Sequence, residues 1–109
     1  MEVHNQMGPG HLEAVYQECL EIEFELQGIL FISKPTLSLY YKTKKLKKFY
    51  VPDFMVLGNI VVEIKAQKML TNDDEAQIIN SLKSSRHEIG LLINFGEPSL
   101  KFRRFIDTI

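Results

Sequence analysis

The sequence lacks the features that mark secreted, membrane-spanning and zinc-stabilised proteins. It has a single cysteine, Cys19, which cannot form a disulfide within the chain or a structural zinc site by itself. It has no apolar run of membrane-spanning length, and its first ten residues contain no apolar signal segment. We therefore expect a soluble, cytoplasmic protein without a membrane partner.

An excess of positive charge is also lacking. Thirteen Lys and Arg against fourteen Asp and Glu leave a formal net charge of -1, so the chain as a whole should not attract polyanions. Any contact with nucleic acid must then be local. The length of 109 residues is enough for one domain with one core. Function is therefore expected on the core fold itself.

The pattern of apolar residues predicts a single α/β domain over residues 1–109. The predicted elements are a helix over 9–28, a strand over 29–41 broken near Pro35, strands over 49–56 and 60–65, a helix within 71–88, a strand over 90–96 and an edge strand over 100–106. The order predicts a mixed sheet flanked by helices.

Three details of these elements are open to test. The first helix should bury an apolar stripe at three- and four-residue steps. The members of that stripe are Leu12, Val15, Cys19, Ile22 and Leu26. In the second helix, Asn72 and Glu75 have capping-box spacing, and Ile78, Ile79 and Leu82 should share a buried face. The segment KTKKLKK at 42–48, with its five lysines, indicates an exposed loop between strands.

Charged residues interrupt the two apolar strands of the segment YVPDFMVLGNIVVEIKA, residues 50–66. Asp53 lies on the first strand, and Glu63 and Lys65 share one face of the second because they are two residues apart. A two-residue hairpin loop would place Asp53 on the opposite face. We predict a three-residue loop over 57–59, which sets Asp53 directly across from Glu63.

Paired carboxylates facing one way suit a hard divalent cation such as Mg²⁺ or Mn²⁺. Lys65 beside them could orient or deprotonate a water whose pKa the metal lowers. The alternative is a surface pair of Glu63 and Lys65 that contributes less than about 1 kcal/mol. That alternative is weakened because residues 61–66 resemble an interior strand, where unpaired charge is costly.

Four blocks carry a resemblance to a known family. They are GHLEAVY at 10–16, the segment from PDF to EIK, EAQIINSLK at 75–83 and GLLINFG at 90–96. Together they resemble the GxxExxY family of the PD-(D/E)XK nuclease superfamily, in the same order and over nearly the whole chain. The resemblance implies a restriction-endonuclease-like core in the order α-β-β-β-α-β-β, and a nuclease that uses Mg²⁺ or Mn²⁺.

The resemblance also implies roles for individual residues. Asp53 and Glu63 would be metal ligands, and Lys65 would be the catalytic lysine. Glu13 would be a further acidic ligand from the first helix, although a first-turn acid favoured by the helix dipole is an alternative. Tyr16 is expected to be a packing residue.

Contacts with substrate are expected from polar and basic residues. Gln77 resembles the glutamine of a Q-x-x-x-Y element, but Ser81 stands where its tyrosine would be. The lysines of the basic run would contact phosphates, unless they form only a solvated connector. They are Lys42, Lys44, Lys45, Lys47 and Lys48. The expected partner is nucleic acid, DNA rather than RNA, and a homodimer would gain substrate contact. The alternative function is a catalytically unused module of this fold that binds nucleic acid or a protein.

Overall fold

The computed structural model describes residues 1–107 and confirms a mixed α/β architecture. Its elements are α1 (Glu2–Met7), α2 (Glu13–Leu26), β1 (Phe31–Ser33), β2 (Leu37–Tyr41), β3 (Lys44–Tyr50), β4 (Phe54–Val56), β5 (Ile60–Lys65), α3 (Asn72–Ser85), β6 (Ile89–Asn94) and β7 (Lys101–Ile106). The main sheet has the order β1-β4-β5-β6-β7, and β2-β3 form a separate two-stranded sheet. None of the helices described is both long and apolar enough to cross a membrane.

The main sheet separates two apolar cores. Strand β5 pairs parallel with β6, and the other neighbours in this sheet are antiparallel. Val62 and Ile64 pack in the core under α1 and α2, whereas Val61 packs in the core under α3. Because side chains alternate along a strand, Glu63 and Lys65 belong to the face of Val61. The chemistry expected from these two residues therefore lies on the α3 side.

The N-terminal region differs from the prediction. An additional helix, α1, comes first, and α2 begins at Glu13 instead of Pro9. Gly8 and Gly10 flank the proline with φ angles of 68° and 103°. Such left-handed conformations interrupt a helix and favour glycine. Pro9 therefore lies in the connection between α1 and α2.

The predicted buried stripe of α2 is wrong. Three of its members are exposed, namely Leu12, Ile22 and Leu26. The helix instead buries Tyr16 and Leu20 completely. The ring of Tyr16 stacks on Phe95 with centroids 4.5 Å apart, and its hydroxyl donates to the Gly8 carbonyl at 2.5 Å. A large ring with a hydrogen-bond partner takes the core position, which confirms Tyr16 as a packing residue.

Most of the lysine run is a strand and not a loop, since four of its five lysines lie on β3 and only Lys42 lies in a turn. Strand β3 pairs antiparallel with β2, and the turn between them contains only Lys42 and Thr43. Backbone pairing satisfies the peptide groups, while the long lysine side chains stay in water. The predicted strand over 49–56 is accordingly divided between β3 and β4. The predicted break near Pro35 is confirmed, since it separates β1 from β2.

Helix α3 is capped one residue earlier than predicted. The Thr71 hydroxyl accepts from the Asp74 N–H at 3.1 Å, and the Asp74 carboxylate accepts from the Thr71 N–H at 2.9 Å. The predicted capping box of Asn72 and Glu75 is therefore wrong. Ile79 was expected on the buried face and is exposed. With the cap at Thr71, the Asp74 carboxylate belongs to the capping box and lies near Lys65 at the end of β5.

Candidate active site

The β4–β5 hairpin has the predicted register. Val56 pairs with Ile60 across the three-residue loop 57–59, in which two residues have positive φ. Continuing this register beyond β4 places Asp53 opposite Glu63. The predicted three-residue loop is therefore confirmed.

Hydrogen bonds hold Asp53 against β5. The Asp53 N–H donates to Glu63 Oε1 at 2.9 Å, and the Ile64 N–H donates to Asp53 Oδ2 at 2.7 Å. Phe54 is the β4 residue that pairs with β5 farthest from the hairpin loop, and both bonds lie beyond it. Side-chain oxygens thus replace the backbone ladder where the two strands part. They fix both carboxylates at this end of the hairpin.

Glu63 is held where its negative charge is unfavourable. Burial raises the pKa of Glu63 from 4.5 to about 7, and the negative charge of Asp53 adds to the effect. The hydrogen bond from the Asp53 N–H and the charge of Lys65 oppose the increase without cancelling it. A cation placed beside this pair would relieve the repulsion. The pair supplies carboxylate oxygens, the type of donor that hard divalent cations take.

Tyr50 covers Glu63 from the end of β3. Its hydroxyl is buried, has no hydrogen-bond partner in residues 1–107, and lies close to both Glu63 and Ser81. Burial, together with the negative charge of Glu63, raises the pKa of Tyr50. The phenol therefore remains neutral beside the carboxylate.

Lys34, which no sequence motif marks, neutralises Asp53. Its Nζ lies 2.7 Å from Asp53 Oδ1, and its backbone N–H donates to the Asp53 carbonyl at 2.9 Å. Lys34 has a φ of 52°, which is uncommon outside glycine. The Gln17 side-chain amide also donates to the Asp53 carbonyl, at 2.9 Å. Asp53 is thus fixed from β5, from α2 and from the end of β1.

A cavity of about 210 Å³ opens beside Asp53. It is lined by Glu13, Ala14, Gln17, Lys34, Asp53 and Ile64. Glu13, on α2, therefore lines the same cavity as Asp53. Glu63 does not line the cavity, and across residues 1–107 no three His, Cys, Asp or Glu side chains group closely enough to hold a metal ion. The structure brings Asp53 to Glu63 and Glu13 toward Asp53, but not all three acids to one point.

Lys65 lies between Glu63 and an acid of α3 that the sequence analysis missed. Its Nζ is 4.0 Å from Asp74 Oδ1, and the Asp74 carboxylate also accepts from the Gln67 side chain. Burial opposes ionisation of Asp74, but hydrogen bonds from Thr71 and Gln67 and the charge of Lys65 leave its pKa lowered. An ionised Asp74 therefore steadies the ammonium group of Lys65.

A buried amide shapes the chain after Lys65. Asn94 pairs with Lys65 in the sheet and is fully buried. Its Oδ1 accepts from the N–H groups of Gln67 and Gly96, each at 3.1 Å, and its Nδ2 donates to the Gln67 carbonyl at 2.8 Å. A Cβ on Gly96 would lie 2.2 Å from the Gln67 carbonyl oxygen, so only glycine fits there. This network sets Gln67 beside Asp74.

The remaining predicted residues lie outside this cluster. Gln77 is exposed on α3, whereas Ser81 of the same helix lies near Tyr50. The five lysines of the basic run are exposed on the sheet formed by β2 and β3. Asp74 and Lys34 could have been found only as charged neighbours in space, since neither belongs to the quoted motifs.

A comparison with protein families found a match that covers most of the chain. The family model of the PD-(D/E)XK nuclease superfamily matches residues 1–105. Comparisons with curated proteins and with solved structures found no match. The match covers both the hairpin with Asp53 and Glu63 and the helix with Asp74, while the narrower GxxExxY assignment stays a prediction.

Proposed function

Since the chain belongs to the PD-(D/E)XK nuclease superfamily, we propose that it is a metal-dependent nuclease of the GxxExxY type that hydrolyses phosphodiester bonds, in DNA rather than RNA. The observation that carries the proposal is the 2.9 Å hydrogen bond from the Asp53 N–H to Glu63 Oε1. It joins two carboxylate residues across the hairpin, and Lys65 follows on the face of Glu63. The proposed metal ligands and the proposed catalytic lysine are thereby adjacent.

Asp53 and Glu63 are the proposed ligands of Mg²⁺ or Mn²⁺. Mg²⁺ is commonly held by one or two carboxylates together with waters and substrate phosphates, so this pair is sufficient. Glu13 is proposed to add a contact from the cavity beside Asp53. When bound, the ion would lower the pKa of a water and stabilise negative charge on the phosphoryl group.

Lys65 is proposed to act on the attacking water, either as an ammonium group that donates a hydrogen bond and orients it, or as the neutral amine that takes its proton. The water oxygen bonds to phosphorus as the bond from phosphorus to the leaving oxygen breaks. The water loses its proton to the Lys65 amine or to solvent, and the leaving oxygen takes a proton from solvent. Asp74, 4.0 Å from the ammonium group, keeps Lys65 in place. Gln77, exposed on α3, is proposed to contact the substrate.

The test is an assay of the purified protein with Mg²⁺ or Mn²⁺ on labelled DNA and RNA, both single and double stranded. We expect cleavage by the wild type and none by Lys65→Ala or Asp53→Ala. Calorimetry should show metal binding in Lys65→Ala and its loss in Asp53→Ala. Lys68→Ala, which changes an exposed lysine three residues away, is the matched control. Wild-type turnover in Lys65→Ala would show that the assignment of Lys65 is wrong.

One observation favours the second candidate, a catalytically unused module that binds nucleic acid or a protein. Both Asp53 oxygens already have partners, Lys34 at Oδ1 and the Ile64 N–H at Oδ2. A metal ion must compete with them. Absence of metal binding at millimolar concentration would favour this module. A homodimer, which would enlarge the surface for substrate, is proposed for either function and can be tested by light scattering.

A further inference from the structure

The two-stranded sheet of β2 and β3, residues 37–50, forms an arm beside α3. At its inner end, Leu37 and Tyr50 pair with each other and pack against the core under α3. At its outer end, Arg86 donates to the Lys42 carbonyl at 2.7 Å and its guanidinium lies 5.5 Å from the ring centroid of Tyr40. With about 3.4 Å per residue, β3 is roughly 20 Å long. The arm is therefore held in place at both ends.

The arm concentrates positive charge. Its residues, 37–50, include five lysines and no Asp or Glu, which gives a formal charge of +5. Since the whole chain has -1, the remaining residues carry -6. A lysine-rich surface of this kind binds phosphates with little regard to base sequence. The arm is thus a local concentration of positive charge on a protein that is otherwise acidic.

An exposed aromatic ring stands among these lysines. Phe49 is 62% exposed and shares one face of β3 with Lys45 and Lys47, because side chains alternate along a strand. Tyr41 is 65% exposed but lies on the opposite face of the arm, since Ser38 and not Tyr41 pairs with Phe49. Aromatic side chains in a basic groove stack on bases of any identity, because every base has a π face. A duplex offers no such faces along its length, since neighbouring base pairs cover them. The combination of an exposed ring and lysines on one face therefore favours unpaired bases over a duplex.

The inner end of the arm leads to the candidate active site. Phe49 is followed directly by Tyr50, whose hydroxyl lies close to Glu63. A strand bound along β3 would be directed toward Glu63 and Lys65. We propose that the face of the arm that carries Phe49 binds single-stranded nucleic acid, with Phe49 stacking on a base and the lysines contacting the phosphates. This inference rests on the proposed function in one respect only, namely that the bound strand is then cleaved.

Tryptophan fluorescence tests the stacking directly, because the chain contains no tryptophan. In Phe49→Trp, oligothymidylate should quench the emission in EDTA, where metal-dependent cleavage is blocked. A duplex of the same length should not quench it. The matched control is Phe102→Trp, at a ring 61% exposed on the edge strand β7, which should not respond. Equal quenching by duplex, or an equal response of the control, would overturn the inference.

Affinity measurements by fluorescence anisotropy give a second readout. Phe49→Ala should weaken single-strand binding by about tenfold and leave duplex binding unchanged. Tyr41→Ala removes the ring on the opposite face and should leave the single-strand affinity unchanged. Phe49→Leu keeps an apolar side chain without a π face and should lose as much as Phe49→Ala. Unchanged single-strand affinity in the two Phe49 variants would refute stacking, even if cleavage is observed. Stacking without cleavage would refute the nuclease proposal and leave this one intact.

Discussion

Replacing Glu63 by Gln should stabilise the protein at neutral and alkaline pH. Burial beside Asp53 raises the pKa of Glu63 from 4.5 to about 7. Between these two values the folded state binds more protons than the unfolded state, so the free energy of unfolding falls as the pH rises. Below about pH 4.5 the carboxyl is neutral in both states, and the effect of its charge disappears.

The magnitude follows from the two pKa values. A change from 4.5 to about 7 corresponds to about 3 kcal/mol lost by the wild type once the pH exceeds 7. Glutamine is neutral at every pH and keeps an Oε1 that can accept from the Asp53 N–H. At pH 8 we therefore expect Glu63→Gln to be more stable than the wild type by about 2 to 3 kcal/mol. Near pH 4.5 the two proteins should be equally stable.

Urea unfolding followed by circular dichroism from pH 4.5 to 8.5, in EDTA, measures this difference. Glu88→Gln, at an exposed acid, is the control and should not reproduce the pH dependence. A Glu63→Gln variant that is less stable than the wild type at pH 8 would refute the reasoning. A difference that does not change with pH would refute it as well. Either result would mean that the ionised carboxylate is better compensated than its burial indicates.

Three further predictions follow from single contacts. Removing the competing ammonium group in Lys34→Met should strengthen Mn²⁺ binding in calorimetry by about fivefold, as expected for an exposed ion pair; unchanged affinity would exclude competition at Asp53. Replacing Lys44, Lys45, Lys47 and Lys48 by Gln should weaken DNA binding for all sequences and reduce the salt slope of log K by roughly three, while an unchanged slope would make them a solvated surface. Gly96→Ala should destabilise the fold by more than about 2 kcal/mol in urea unfolding, because its Cβ meets the Gln67 carbonyl, and wild-type stability would contradict that contact.

The sequence by itself determined the features that depend on near neighbours. Alternation along β5 placed Glu63 and Lys65 on one face, and the loop over 57–59 set the register that brings Asp53 to Glu63. The edge strand β7 and the break near Pro35 were predicted for the same reason. Strand period, turn length and proline geometry act over a few residues, so they can be read without knowing the fold. The four ordered motifs likewise indicated the PD-(D/E)XK nuclease superfamily from the sequence alone.

Only the tertiary structure decided which side chains meet across long separations. The positions of Leu12, Ile22 and Leu26 fit a helical stripe, but these side chains are exposed. Tyr16 is buried instead, because its ring stacks on that of Phe95, a residue distant in the sequence. The lysine run was predicted to be a loop because its composition does not show that β2 pairs with this segment. Lys34 at Asp53 and Asp74 at Lys65 likewise come from other elements. Burial and charge pairing depend on distance in space, and the packed sheet and helices alone set that distance.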